Sequence, residues 1–98
     1  MKEVELTPKA HEDLESIWLY GFNRFGINQA YRYIQQLSEH FTLLAGQNVG
    51  RRRRELGEDI YALPCARHVI FYLVSSACIT VIRALHHSQD VVTHLHWQ

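Results

Sequence analysis

The 98-residue sequence predicts an α+β fold in which an N-terminal helical hairpin packs on one face of a small antiparallel β-sheet. Three observations carry that expectation. Two amphipathic helical stretches are separated by little more than Gly26. An uninterrupted β-branched and aromatic run extends from Val69 to Val74. A second such run, Ile79 to Leu85, returns after Ser75-Ser76. The length leaves room for one domain, spanning 1–98, with a modest core. Apolar content of 47% and charged content of 20% are ordinary globular usage, so neither disorder nor a fibrous repeat fits.

Val4 and Leu6 alternate with Glu3 and Glu5, the period-two pattern of a short strand. Thr7-Pro8 stops it and opens a helix, with Thr7 as N-cap and Pro8 at the first helical position. Ala10, Leu14, Ile17, Trp18, Gly21, Phe22 and Phe25 then recur at helical spacing. Gly26 closes this helix and Asn28 is expected to cap the next, whose stripe is Ala30, Ile34, Leu37, Phe41 and Leu44, flanked by Tyr31 and Tyr33, with an end near Gly46. So short a link forces an antiparallel hairpin. From Gly46 to Asp59 the chain reads as an exposed loop, and strand material resumes at Ile60 to Leu63, before Pro64. Strict alternation along Ile79–Leu85 puts Ile79, Val81, Arg83 and Leu85 on one face and Thr80, Ile82 and Ala84 on the other. A hairpin covers only one face of a sheet, so the other is expected to be partly exposed. Ser88 to Gln98 reads as a short helical turn and a tail.

Ten basic and ten acidic side chains give zero net charge, without the excess expected of a protein that holds nucleic acid by electrostatics alone. The balance hides an asymmetry of −2 over residues 1–50 and +2 over 51–98, with the basic charge concentrated in Arg51, Arg52, Arg53 and Arg54. That run could hold phosphates or an acidic protein, or be a solvated loop answered by Glu55, Glu58 and Asp59. No window approaches the roughly 20 apolar residues that span a bilayer. The N-terminus is too polar for a signal peptide, so a cytoplasmic location without membrane contact is expected. Cys65 and Cys78 suit a reducing compartment, as small apolar residues.

Chemistry-bearing motifs are sparse. Cys65-x-x-His68 and His94-x-His96 match no common structural zinc spacing, no GxSxG supports a nucleophile, and no Gly-rich phosphate cradle exists, so neither metal nor cofactor is expected. Arg83 stands out because it interrupts an apolar strand, where a charge is costly unless paired. With Arg67, just before the adjacent strand, it could clamp a carboxylate or phosphate; equally, it could pair with Asp90 or the chain terminus. His86 and His87 follow where an acid or base would sit, or are plain structural histidines.

The segments Leu6-Thr-Pro-Lys-Ala10, Asp13-Leu-Glu-Ser-Ile-Trp18, Arg24-Phe-Gly26, Leu43-Leu44, Arg67-His-Val-Ile-Phe-Tyr72 and Val81-Ile-Arg-Ala-Leu-His86, then Asp90-Val91, occur in that order along nearly the whole chain. Together they resemble ParE toxins of the RelE/ParE superfamily. The resemblance implies a bacterial type II toxin-antitoxin toxin, neutralised by a small, partly disordered antitoxin of the ParD kind and inhibiting DNA gyrase by binding, without covalent chemistry. It places target contact near Arg67, Arg83, His86, Asp90 and Trp97. The superfamily also implies an alternative, ribosome-dependent mRNA cleavage similar to that of RelE and YoeB. Here the only lysines are Lys2 and Lys9 and no Tyr follows Tyr72, so the minimal site would be Arg67, Arg83 and His87. The Arg51–Arg54 run and the tail from His94 to Gln98 depart from the family pattern.

Overall fold

A computed structural model describes residues 1–95. The chain runs β1 (Glu3–Leu6), α1 (Pro8–Phe25), α2 (Ile27–Gly46), β2 (Arg51–Arg52), β3 (Ile60–Cys65), β4 (His68–Val74), β5 (Cys78–His86) and α3 (Val91–His94). The strands form one sheet in the order β1-β5-β4-β3-β2, antiparallel except where β1 runs parallel to β5 and pairs Val4 with Ile79 and Leu6 with Val81. The helical hairpin on an α+β sheet is as expected, with a fifth strand added.

Thr7 caps α1 as its position predicts. Its hydroxyl accepts from the Ala10 N–H at 3.1 Å and donates to the Ile82 carbonyl at 2.9 Å, so one side chain starts the helix and ties it to β5. The hairpin link is shorter than expected. Gly26, at φ +88°, ends α1 and begins α2, its N–H bonding the Phe22 carbonyl and its own carbonyl accepting from Ala30. Asn28 therefore lies inside the helix rather than at its cap; a positive φ at one glycine reverses the chain within a single residue.

The segment after α2 is not simply a loop. Arg51 and Arg52 pair with Ala62 and Tyr61 as a two-residue edge strand. The buried Tyr72 anchors it: its hydroxyl accepts from the Gly50 N–H at 2.8 Å and donates to Asn48 Oδ1 at 2.7 Å. A Cβ at position 50 would run into that hydroxyl, so the anchor requires glycine. β3 continues through Pro64 to Cys65, beyond the expected end at Leu63; β2 covers only Tyr61 and Ala62, which leaves Pro64 on an uncovered stretch where proline is tolerated.

One expectation about the sheet faces needs correction. The register between β4 and β5 jumps from Phe71↔Arg83 to Tyr72↔Val81, so Ile82 is a bulge residue. One extra residue inverts the alternation. Ile79 and Val81 therefore face the helices with Ala10, Leu37, Leu44, Ile70 and Tyr72, while Ile82 and Leu85 join Ile60, Ala62 and Phe71 in a second cluster. The second face is also more covered than a bare sheet face, because Leu56 from the turn after β2 and Val91 and Leu95 around α3 pack over part of it, leaving Leu73 and Thr80 half-buried. Exposed apolar surface lies instead on the distal hairpin, at Leu19, Tyr20, Phe22, Phe25, Ile27 and Tyr31.

Candidate functional site

The pairing of β1 with β5 ends at Leu6 and Val81, and beyond it β5 needs another hydrogen-bonding neighbour. Asp13 on α1 takes that place. Its Oδ2 accepts from the Ala84 N–H at 3.0 Å and from Arg83 Nε at 2.7 Å, while Oδ1 accepts from Arg83 Nη2 at 2.8 Å. Arg83 Nη1 donates to the His94 carbonyl, so all three guanidinium nitrogens are engaged. The two side chains are only 12% and 15% exposed. Among the described residues Arg83 thus pairs with Asp13 and not with Asp90, and the chain terminus lies outside them. Asp90 caps α3, accepting from the Val92 N–H at 3.1 Å and the Thr93 hydroxyl at 2.8 Å, and the Thr93 bond holds its carboxyl below the usual range.

Arg67 lies elsewhere, in the β3–β4 turn after Ala66 at φ +55°. Its N–H donates to the Tyr33 hydroxyl at 3.0 Å, and its carbonyl accepts from the His87 N–H at 2.9 Å. The Tyr33 hydroxyl also lies 2.6 Å from His68 Nδ1. The His68 ring meets His86 edge-on at 5.4 Å, and His86 stacks on His87 at 4.4 Å, with His86 Nδ1 held by the Ser88 hydroxyl at 2.7 Å. Burial, then the proximity of His86 and His87, lowers the His68 pKa to about 4. The ring is neutral at pH 7. Burial likewise pushes the Tyr33 phenol up, so it is no source of phenolate.

These groups border a groove of about 780 Å³ between the hairpin and the strand end, whose walls include Ile17, Tyr20, Phe25, Tyr33, Arg67, His68 and His86. Arg83 is absent from that lining, and the structure does not bring it together with Arg67 into a clamp. A separate depression of about 690 Å³, on the face covered by α3, carries Glu58 and Asp59 but none of the expected site residues.

The basic run sits on the sheet edge opposite β1. Arg52 pairs with Asp59 at 3.3 Å and Arg53 with Glu55 at 2.8 Å, both largely in solvent, while Arg51 and Arg54 are exposed. Trp97 lies outside the described residues. Cys65 is buried with its Sγ 3.2 Å from His40 Nδ1, and burial, followed by Glu39, pushes its thiol pKa up, away from reactivity. Among the described residues no three His, Cys, Asp or Glu converge on a metal position. No described helix is long and apolar enough to cross a membrane.

The sequence profile of "ParE toxin of type II toxin-antitoxin system, parDE" matches residues 4–91. The chain belongs to the ParE toxin family. Toxin ParE1 of Caulobacter vibrioides is 31% identical over 96 residues, covering 97% of this chain and 99% of that one. The chromosomal ParDE system of P. aeruginosa contains a chain of similar fold, with a TM-score of 0.75 at 22% identity over 88% of this chain and 96% of that one. The YoeB dimer of Staphylococcus aureus shares the fold more distantly, with a TM-score of 0.61 at 14% identity, covering 88% and 97%. The ParE pattern thus spans everything from β1 to the start of α3, including Arg67, the Asp13–Arg83 pair and Asp90.

Proposed function

We propose that this ParE-family toxin arrests growth by binding DNA gyrase, with no covalent chemistry of its own, and that in the cytoplasm a small, partly disordered antitoxin of the ParD kind holds it inactive. The observation that carries the proposal is the engagement of Arg83, each of whose three guanidinium nitrogens donates within the protein. Cleavage of RNA at this strand end would ask Arg67 and Arg83 to hold a phosphate and a histidine to move a proton. Arg83 is committed to Asp13 and the His94 carbonyl, so of the three residues such a site would use, Arg67, Arg83 and His87, Arg83 is not free to hold a phosphate. What the groove offers is a binding surface of aromatic walls with Arg67 at one end.

The antitoxin is proposed to pack on the helical hairpin and the β1 edge, since the hairpin exposes apolar side chains such as Phe25 and Ile27 and β1 is an edge strand with unpaired backbone groups. One contact favours the alternative of ribosome-dependent mRNA cleavage: the His87 N–H bonds the Arg67 carbonyl, bringing a histidine beside a cation. A supercoiling assay with purified gyrase, run beside in vitro translation, separates the two. Loss of supercoiling with translation intact is expected. Cleavage of ribosome-bound message with gyrase unaffected would overturn the proposal in favour of the alternative.

A further inference from the structure

Tyr33 holds the β3–β4 turn from the helical layer through one oxygen atom. A backbone N–H can only donate, so the Tyr33 oxygen accepts from Arg67. The phenol proton then goes to the other neighbour, Nδ1 of His68, which accepts it when the ring carries its own proton on Nε2. We propose that Tyr33 is a positioning residue for the target-contact surface: bound at once to Arg67 and His68, its hydroxyl sets where the Arg67 guanidinium and the His86 ring are presented at the groove.

The ladders fix the strands up to Cys65↔His68 and His68↔His86, and Ala66, in the left-handed region, makes the turn between them tight. Outside the ladders, the Arg67 backbone is tied by two bonds, the Tyr33 hydroxyl on its N–H and the His87 N–H on its carbonyl. His68 passes the constraint on to His86 through their edge-on contact. The charged or titratable groups around the pair are Arg67 from the turn, His86 and His87 from the end of β5, Asp13 from α1 and Cys65 from β3. A proton on His68 would reverse the bond, turning Nδ1 into a donor. The burial that keeps His68 neutral therefore also keeps the hydroxyl directed at it. The proposal rests on the strand end being the surface that meets the target.

The test uses the full chain. Tyr33→Phe removes one oxygen and keeps the ring that packs edge-on against His68 at 5.4 Å. The expected results are faster exchange of the Arg67 amide, a His68 titration moved up toward its ordinary value, and a half-maximal dose for growth arrest raised about fivefold, the effect of losing one net hydrogen bond. Arg67→Ala should raise the dose as well. His68→Asn, whose Oδ1 replaces Nδ1 as acceptor, should retain more growth arrest than His68→Leu. An increased dose for Arg67→Ala with none for Tyr33→Phe would overturn the positioning role. No increase for either, with the His68 titration moved, would show that the strand end is not the target surface and would overturn the proposal with it. Weakened arrest in both variants, with purified gyrase untouched by the wild type, would remove gyrase as the target and leave the assignment of Tyr33 standing.

Discussion

At the scale of single residues, Asp13 acts as a substitute strand: it closes the hydrogen bonding of β5 where β1 stops, and the same carboxylate holds Arg83. With both side chains at least 85% covered, removing one partner leaves the other charge stranded. Arg83→Ala should therefore lower the unfolding free energy by about 3 kcal/mol, the low end of what breaking a buried pair costs. Asp13→Asn should cost less than Asp13→Ala, because an amide oxygen still accepts from the Ala84 N–H. Denaturant midpoints measure both, and equal values for the two Asp13 variants would argue against the strand-substitute role. His68 yields a prediction in pH. Its pKa is about 4 in the folded chain against an ordinary 6.5, so the unfolded state takes up the proton first as pH falls. Stability is then full above about pH 6.5 and declines toward pH 4. Subtracting the melting profile of His68→Gln from that of the wild type should isolate this decline from the carboxylates that titrate lower down.

At the scale of elements, the two-residue strand β2 depends on a partner far along the chain. Gly50→Ala should displace Tyr72 and release β2, visible as loss of amide protection at Arg51 and Arg53. Changing Arg51 to Arg54 together to Gln should barely move the melt, since exposed ion pairs such as Arg52–Asp59 contribute at most about 1 kcal/mol. A collapsed melt would contradict the surface position of the run. The same dependence on distant partners explains what could be read from the sequence. The helices and the β4 and β5 strands were legible because their periodicity is local. β2 was not, because Arg51 and Arg52 are strand only by virtue of Tyr72. The bulge at Ile82 leaves no mark on an apolar run, so strict alternation groups Leu85 with Ile79 and Val81, which lie on the opposite face. The site was half legible: Arg83 stands out as a charge inside a strand, but Asp13, 70 residues away, is one acid of an amphipathic helix with no local mark of a partner in β5. Tyr33 read as the flank of a helical stripe, with no signal for its contact with His68.

On the scale of the whole molecule, the hairpin extends past the sheet it packs on and leaves Tyr20, Phe25 and Tyr31 about half exposed or more. Tyr20→Ser with Phe25→Ser should lower the melt less than a substitution in the core while weakening antitoxin binding, because about half of each side chain is in solvent in the free chain. Antitoxin at a hundredfold excess over its Kd should stabilise the wild type by about 2.7 kcal/mol through mass action. A stabilisation that survives both substitutions would place the antitoxin elsewhere. The parallel pairing of β1 with β5 has a consequence for how the toxin comes into being. Glu3 to Leu6 are made well before their partners, Cys78 to Val81. The helical hairpin can form while the nascent chain is still growing, but β5, which joins β1 to the sheet, cannot yet be in place. The fold therefore closes only after β5 has been made, and until then the hairpin, with its apolar tip uncovered, is already available to an antitoxin made beside it.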